Sequence, residues 1–356
     1  MNPNELKALA AAALDPALGR PLGEAVTSVR ADGAVAVVAV TLGYPVGGYA
    51  PELEAVIGAA FAAAGRTGSV RVEATARIAA HAVQGSLKPL PNIRNILAIA
   101  SGKGGVGKST TAANLALALA AQGARVGLLD ADVYGPSQPL MMGLAGERPN
   151  SVDGKRIEPL RAYGVEVMSI GFLIDPDQPM VWRGPMVTQA LMQLLGDTSW
   201  GDLDYLVVDL PPGTGDIQLT LAQRVPVSGA IIVTTPQDIA LADASKGLQM
   251  FRKVAVPILG IVENMAMHVC TACGHEEHIF GAGGGEKMSR DYGVPVLGSL
   301  PLDVRIREQA DSGRPTVVAD PAGRLAGAYG RIARRAAAIL AAGAGAAFPT
   351  LSVSDD

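Results

Sequence analysis

The sequence predicts an α/β chain: a doubly wound, mostly parallel sheet preceded by a small α/β unit. Three observations predict it. Short apolar runs alternate with longer helical patterns from about residue 95 to about residue 300. One of these runs, Ile96–Ala100, passes directly into a glycine-rich loop and then an Ala/Leu-rich helical stretch, Thr110–Gln122. A proline-containing linker, 86–94, separates all this from residues 1–85.

In the first unit, a helix near Asn4–Leu14 ends at Asp15-Pro16, because the residue before proline is pushed out of the helical region. Gly33 precedes a valine-rich strand, Ala34–Leu42, and Tyr44-Pro45-Val46-Gly47-Gly48-Tyr49 makes a turn. Pro51–Ala64 reads as a helix with proline in its first turn, and Ser69–Ile78 alternates with the period of a half-buried strand. The large domain, 95–342, has strands at Ile96–Ala100, Val126–Asp130, Val165–Ile170, Tyr205–Asp209, Ala230–Thr234, Ile258–Glu263 and Pro295–Leu300. Ligands of such sheets bind beyond the carboxyl ends of the strands. The last stretch, 343–356, reads as a flexible tail.

Bulk properties narrow the function. The net charge is −4 and the pI about 5.7, so no broad basic surface invites nucleic acid. No apolar run approaches the ~18 residues of a membrane span. Glu5 and Lys7 stand where a signal peptide would be purely basic. The expectation is a cytoplasmic protein that binds neither nucleic acid nor membrane. The last helix, near Ala322–Leu340, carries Arg324, Arg331, Arg334 and Arg335, with Leu325, Ala328, Ile332, Ala336 and Ile339 forming a face for packing.

The stretch Ser101-Gly102-Lys103-Gly104-Gly105-Val106-Gly107-Lys108-Ser109-Thr110 fits G-x-x-x-x-G-K-[ST] between a strand and a helix. Its glycines let backbone N–H groups face phosphate oxygens at a helix N-terminus. Lys108 would reach the β- and γ-phosphates, and the Ser109 hydroxyl would ligate Mg²⁺. A second lysine, Lys103, is either a solvated loop residue or something more. The pattern K-G-G-x-G-K-[ST] resembles the deviant Walker A loop of the ParA/MinD/nitrogenase-iron-protein class. That resemblance implies that Lys103 reaches a partner subunit's nucleotide across a face-to-face dimer.

Acids complete the site. Asp130 and Asp132 close one strand; by the same resemblance Asp132 positions the attacking water, while a turn or helix cap is the plain alternative. Tyr205–Asp209 is an apolar strand ending in a carboxylate, the Walker B arrangement, so Asp209 would hold the metal through a water. Leu210-Pro211-Pro212-Gly213-Thr214-Gly215-Asp216 is a stiff loop that senses the γ-phosphate, or one whose Asp216 caps the next helix. By resemblance, Asn264 recognises adenine through its amide, which favours ATP.

The sequence holds two cysteines, Cys270 and Cys273. A C-x-x-C pair in a reduced compartment is a metal clip or a redox pair. Read from spacing alone, it is half of a four-thiolate iron–sulfur site completed by a second copy, a zinc site with His268, His275 or His278, or a redox pair.

These motifs, with Trp182-Arg183-Gly184-Pro185-Met186, Val262-Glu263-Asn264-Met265 and the Phe280–Gly285 glycine run, resemble the Mrp/ApbC iron–sulfur carrier ATPases over about residues 90–340. The resemblance implies a homodimer binding a [4Fe–4S] cluster through Cys270 and Cys273 of both subunits. Cluster assembly machinery would donate the cluster and apo iron–sulfur proteins would receive it, with slow ATP hydrolysis as the switch. The element order of residues 1–85 resembles the small domain of iron–sulfur assembly proteins, although the turn that often carries a cysteine there has none. The competing classes are a ParA/MinD-type positioning ATPase and a zinc-stapled nucleotide-binding scaffold.

Overall fold

The chain opens helical because Asn2 caps it: the side chain accepts the backbone N–H of Asn4, and Pro3 supplies a first-turn φ. This is α1 (Pro3–Ala12) in the computed structural model, which describes residues 2–85, 87–151, 154–174, 184–270 and 272–343. A short hairpin follows, β1 (Leu14–Asp15) with β2 (Arg20–Pro21). Its buried Asp15 accepts hydrogen bonds from the Tyr44 and Tyr49 hydroxyls, which fixes the turn between those tyrosines. β3 (Val26–Asp32) pairs antiparallel with β4 (Val35–Leu42) through a turn whose Gly33 has φ +60°. Helix α2 (Ala50–Ala63) crosses over to β5 (Ser69–Ala76), parallel to β4. β3 is a strand that sequence reading leaves out. It lies at the sheet edge with most of its residues exposed, so Thr27, Ser28, Arg30 and Asp32 hide its period.

The described residues divide into two units, one comprising residues 2–79 with 121–123 and 337–343, the other residues 80–120 and 124–336. In the second unit β6 (Ile96–Ala100) is buried along its whole length, as a strand covered on both faces must be. The elements after it are α3 (Lys108–Ala121), β7 (Val126–Asp130), α4 (Gln138–Met141), β8 (Leu160–Ala162), β9 (Val165–Ser169), α5 (Gly184–Asp197), β10 (Tyr205–Asp209) and α6 (Asp216–Arg224). Then come β11 (Gly229–Thr234), α7 (Asp238–Lys253), β12 (Ile258–Glu263), the hairpin β13 (His268–Val269) with β14 (Glu276–Glu277), α8 (Gly284–Tyr292), β15 (Val296–Ser299), α9 (Val304–Asp311), α10 (Thr316–Ala319) and α11 (Arg324–Ala341).

The sheet order is β15-β12-β11-β6-β10-β7-β9-β8, and only β8 runs antiparallel to its neighbour. This is the doubly wound, mostly parallel sheet expected, with helices between its strands. The proline-containing segment has no helix or strand among its described residues before Ile93. Just before it, Gln84 is buried and donates from Nε2 to the carbonyls of Ala222 and Val225 at 2.6 and 2.7 Å, satisfying acceptors at the end of α6. On α11, Leu325, Tyr329, Ile332, Ala336 and Ile339 are buried, and Ile332 packs on Gly298 of β15. That face is occupied by packing. Among the described residues no helix is long and apolar enough to cross a membrane. Trp182, Arg183 and residues 344–356 lie outside the described residues.

Candidate functional site

Parallel register brings the site together. Asp209 at the end of β10 stands level with Ile99 of β6 on one side and Asp130 of β7 on the other, and Asp130 stands level with Ser169 of β9. The loop after β6 leaves the sheet between these ends. Gly102 lies so close to α7 that a Cβ would fall 2.1 Å from the Asp243 carbonyl carbon. Gly107 has φ +82°, and a Cβ there would lie 2.1 Å from Asn264 Nδ2. Both positions therefore demand glycine. Gly104 and Gly105 are exposed between them, and Val106 is buried. Lys108, Ser109 and Thr110 form the first turn of α3, where backbone N–H groups have no intrahelical partner.

Lys108 is buried, and its ammonium donates to Asp209 Oδ1 and, at 3.1 Å, to Ser109 Oγ; Asp132 Oδ2 lies 3.6 Å away. One buried cation thus faces two carboxylates, which leaves room for a further positive charge. The other Asp209 oxygen accepts from Gln138 Nε2 at 2.9 Å. Asp130 is fully buried and accepts from the backbone N–H groups of Asp132 and Gln138, each at 3.1 Å, and from Ser169 Oγ at 3.0 Å. Burial and then the charge of Asp209 push the Asp130 carboxyl up to about 7, with those hydrogen bonds opposing. Burial also raises Asp132, against the pull of Lys108. Ser109 and Asp209 offer hard oxygen donors already sharing one cationic partner, a donor set that suits Mg²⁺.

Lys103 is placed elsewhere: its ammonium bonds to Gln237 Oε1 at 3.3 Å, just before α7. Asp216 is exposed in the first turn of α6, where its charge suits the helix N-terminus. The loop before it hooks back to the P-loop, with Gly213 N–H donating to Ser101 O at 3.0 Å. Asn264 is buried, and its Nδ2 donates to Val106 O at 2.9 Å. The amide that sequence reading assigns to adenine therefore also holds the phosphate loop.

Cys270 and Cys273 cap the β13–β14 hairpin. Cys270 N–H donates to His275 O at 2.9 Å and Gly274 N–H to Cys270 O at 2.8 Å, with Gly274 at φ +73°. Backbone N–H groups of Ala272 and Cys273, followed by the Cys273 thiol, hold the Cys270 thiol below its ordinary pKa. Cys270 is half-buried and Cys273 exposed, and both are free. Among the nearby imidazoles, His268 Nδ1 lies 3.1 Å from Leu302 O and His278 Nδ1 lies 2.9 Å from Ala266 O. Among the described residues no group of three or more His, Cys, Asp or Glu side chains is gathered for a metal.

Sequence reading missed Gln138, Ser169, Gln237 and the hold of the buried Glu263 on the Gly285 N–H. Gln138 left one local signal: a polar residue between Ser137 and Pro139, at the start of a helix following the strand-end acids. The others depend on register and packing that no local pattern carries.

A parallel sheet with a glycine loop at its central strand, a lysine on a strand-end carboxylate and a second loop lysine define a P-loop NTPase of the MinD/ParA type. Comparison supports this and narrows it. The family described as "NUBPL iron-transfer P-loop NTPase" matches residues 92–337, and the chain belongs to that family. An iron–sulfur cluster carrier protein of Pseudomonas fragi is 64% identical over 266 residues, covering 74% of this chain and 93% of its own length. The iron–sulfur cluster transfer protein NUBPL of Mus musculus is 54% identical over 248 residues, 69% of this chain and 77% of its own. A nucleotide-binding protein from Archaeoglobus fulgidus, solved in complex with ADP, superposes with TM-score 0.57 at 40% identity, covering 63% of this chain and 88% of that one. The cell division ATPase MinD of Pyrococcus furiosus superposes with TM-score 0.51 at 25% identity, covering 68% and 97%.

Proposed function

We propose that the chain is an ATP-dependent iron–sulfur cluster carrier. Two copies hold one [4Fe–4S] cluster between their Cys270 and Cys273 thiolates, take it from assembly machinery and deliver it to apo iron–sulfur proteins in the cytoplasm. One observation carries the reading: β12 is followed directly by Asn264, whose amide rests on the phosphate loop, and the chain then runs straight into a hairpin presenting Cys270 with a lowered thiol pKa. Two thiolates are half of a four-cysteine set, and a twofold axis supplies the other half. Soft sulfur suits iron or zinc rather than magnesium, and the names of the relatives select iron–sulfur.

At the other end, Lys108 and the first turn of α3 hold the β- and γ-phosphates, Ser109 and Asp209 hold Mg²⁺, and Asp132 orients the attacking water. Mg²⁺, when bound, neutralises charge on the phosphates. Asn264 meets adenine with its remaining amide oxygen. Lys103 reaches the nucleotide of the second copy, so hydrolysis is slow, confined to the closed dimer, and acts as the switch.

Anaerobic reconstitution with iron and sulfide, followed by absorption spectroscopy and sizing, tests this. One cluster per pair of chains is expected. Lys103→Ala should keep ADP affinity while losing about a hundredfold in hydrolysis, the usual cost of removing one preorganised charge-stabilising donor. A loaded protein that elutes as a monomer, or one that takes up zinc alone, sinks the proposal.

A further inference from the structure

Gln138 opens α4 and is fully buried. Its backbone N–H donates to Asp130 Oδ2 at 3.1 Å. Its side-chain Nε2 donates twice, to Ser109 O at 3.0 Å and to Asp209 Oδ2 at 2.9 Å. Its Oε1 is buried and has no hydrogen-bond partner. Leaving a buried amide oxygen unpaired costs about 1–3 kcal/mol, and native structures keep such atoms where a ligand or water completes them. Oε1 shares one small planar amide with the nitrogen that holds Asp209. A donor that satisfies Oε1 therefore stands beside the Asp209 carboxylate.

Mg²⁺ dehydrates reluctantly and keeps several waters when a protein offers it one or two oxygens. Metal-bound water is a strong donor, and an amide oxygen beside the metal's carboxylate ligand is a natural acceptor for it. We propose that Gln138 is a positioning residue for the Mg²⁺ of the nucleotide site. Its Nε2 holds the Asp209 carboxylate in place by Oδ2, and its unpaired Oε1 would accept from a water of the ion's hydration shell. The inference rests on the Mg²⁺ assignment to Ser109 and Asp209 made above. It does not depend on the cluster. A merely structural Gln138 would tie α4 to α3 and β10 and leave metal binding alone.

The test is titration of Mg²⁺ into the ADP complex of the full chain, read by a fluorescent ADP analogue, with ADP affinity also measured in chelator. Gln138→Met keeps the side chain's length and removes both polar atoms. It should lower Mg²⁺ affinity about tenfold or more, as loss of outer-shell partners does, while chelator-condition ADP affinity stays at the wild-type value. Gln138→Glu keeps an acceptor at the Oε1 position but loses the Nε2 hydrogen bonds to Asp209 and Ser109, so its Mg²⁺ affinity should fall less than that of Gln138→Met. Wild-type Mg²⁺ affinity in Gln138→Met overturns the proposal, and so does an equal loss in both variants. Should the methionine variant not fold, Gln138→Asn, which withdraws both polar atoms by one methylene, is expected to show the same tenfold loss, and unchanged affinity there overturns the proposal equally. Asp209→Ala separates the two levels: if it leaves Mg²⁺ affinity unchanged, the metal assignment itself fails. If it abolishes affinity while Gln138→Met does not reduce it, only the role of Gln138 fails.

Discussion

The loops after β6 and after β12 both leave the carboxyl ends of parallel strands, yet they are stabilised differently. At the first, Lys108, Asp130, Asp209 and Gln138 are buried, and their partners come from α3, α4, β7, β9 and β10. At the second, Cys273 is exposed, Cys270 is half-buried, and the hydrogen bonds around them close within the hairpin itself. The phosphate loop is preorganised by the whole sheet; the cysteine pair, among the described residues, is held chiefly by its own turn, with His268 tying the base of the hairpin to Leu302. A group that must be gripped tightly in one chain is served by the first arrangement. Under the proposed function, a cargo that leaves when two chains part is served by the second.

The contrast is broken most sharply at the cysteines. Cys270→Ala with Cys273→Ala should abolish visible cluster absorption after reconstitution. Because Cys273 is exposed and Cys270 only half-buried, the change in stability should stay within about 0.5 kcal/mol, as for ordinary surface substitutions. A large drop in thermal midpoint, measured by calorimetry on the metal-free protein, would show that the hairpin is part of the fold after all.

At the phosphate loop the same experiment should read the other way. Gly107→Ala forces a side chain into φ +82° and against Asn264. The left-handed penalty is about 1–2 kcal/mol, and a displaced buried amide adds about 1–3 kcal/mol. ADP affinity, followed by titration calorimetry, should fall about a hundredfold or more, the equivalent of about 3 kcal/mol. The melting temperature should fall with it. Unchanged stability would mean that Asn264 yields easily and that this end is less preorganised than its hydrogen bonds suggest.

The same difference governs what could be read from sequence. Strands β6, β7, β10, β11 and β12 are buried on both faces, so they stand out as unbroken apolar runs. Edge strands β3 and β8 carry polar residues on open faces and escaped notice. Lys108, Ser109, Asp132 and Asp209 could be named because each lies at a strand end or in a loop of fixed pattern, and the fold brings them together. Gln138 could not, since its bond to Asp209 spans 71 residues and arises from sheet register. The hold of Asn264 on Val106 spans 158 residues and was equally invisible. The cysteine turn was legible because its C-x-x-C spacing and the hydrogen bonds between Cys270, Gly274 and His275 are local.

The finest test lies where the two loops meet. Glu263 ends β12 and is buried; its Oε1 accepts from Gly285 N–H at 2.7 Å, in the first turn of α8, and its Oε2 lies 3.4 Å from Ser299 Oγ. The cysteine hairpin is therefore rooted on one side by Asn264 on the phosphate loop and on the other by this carboxylate on a helix N-terminus. Glu263→Gln preserves the shape and one acceptor but removes the charge, which is worth about 1 kcal/mol at a helix N-terminus. The thermal midpoint should fall by about 2–4 °C. Loss of cluster to a chelator should quicken about fivefold, the factor that corresponds to about 1 kcal/mol, while ADP affinity holds. If ADP affinity falls in step with cluster retention, the root of the hairpin and the base end of the nucleotide site act as one body. The sheet would then grip nucleotide and cargo with a single rigid edge, and local preorganisation of the cysteines would no longer explain their release.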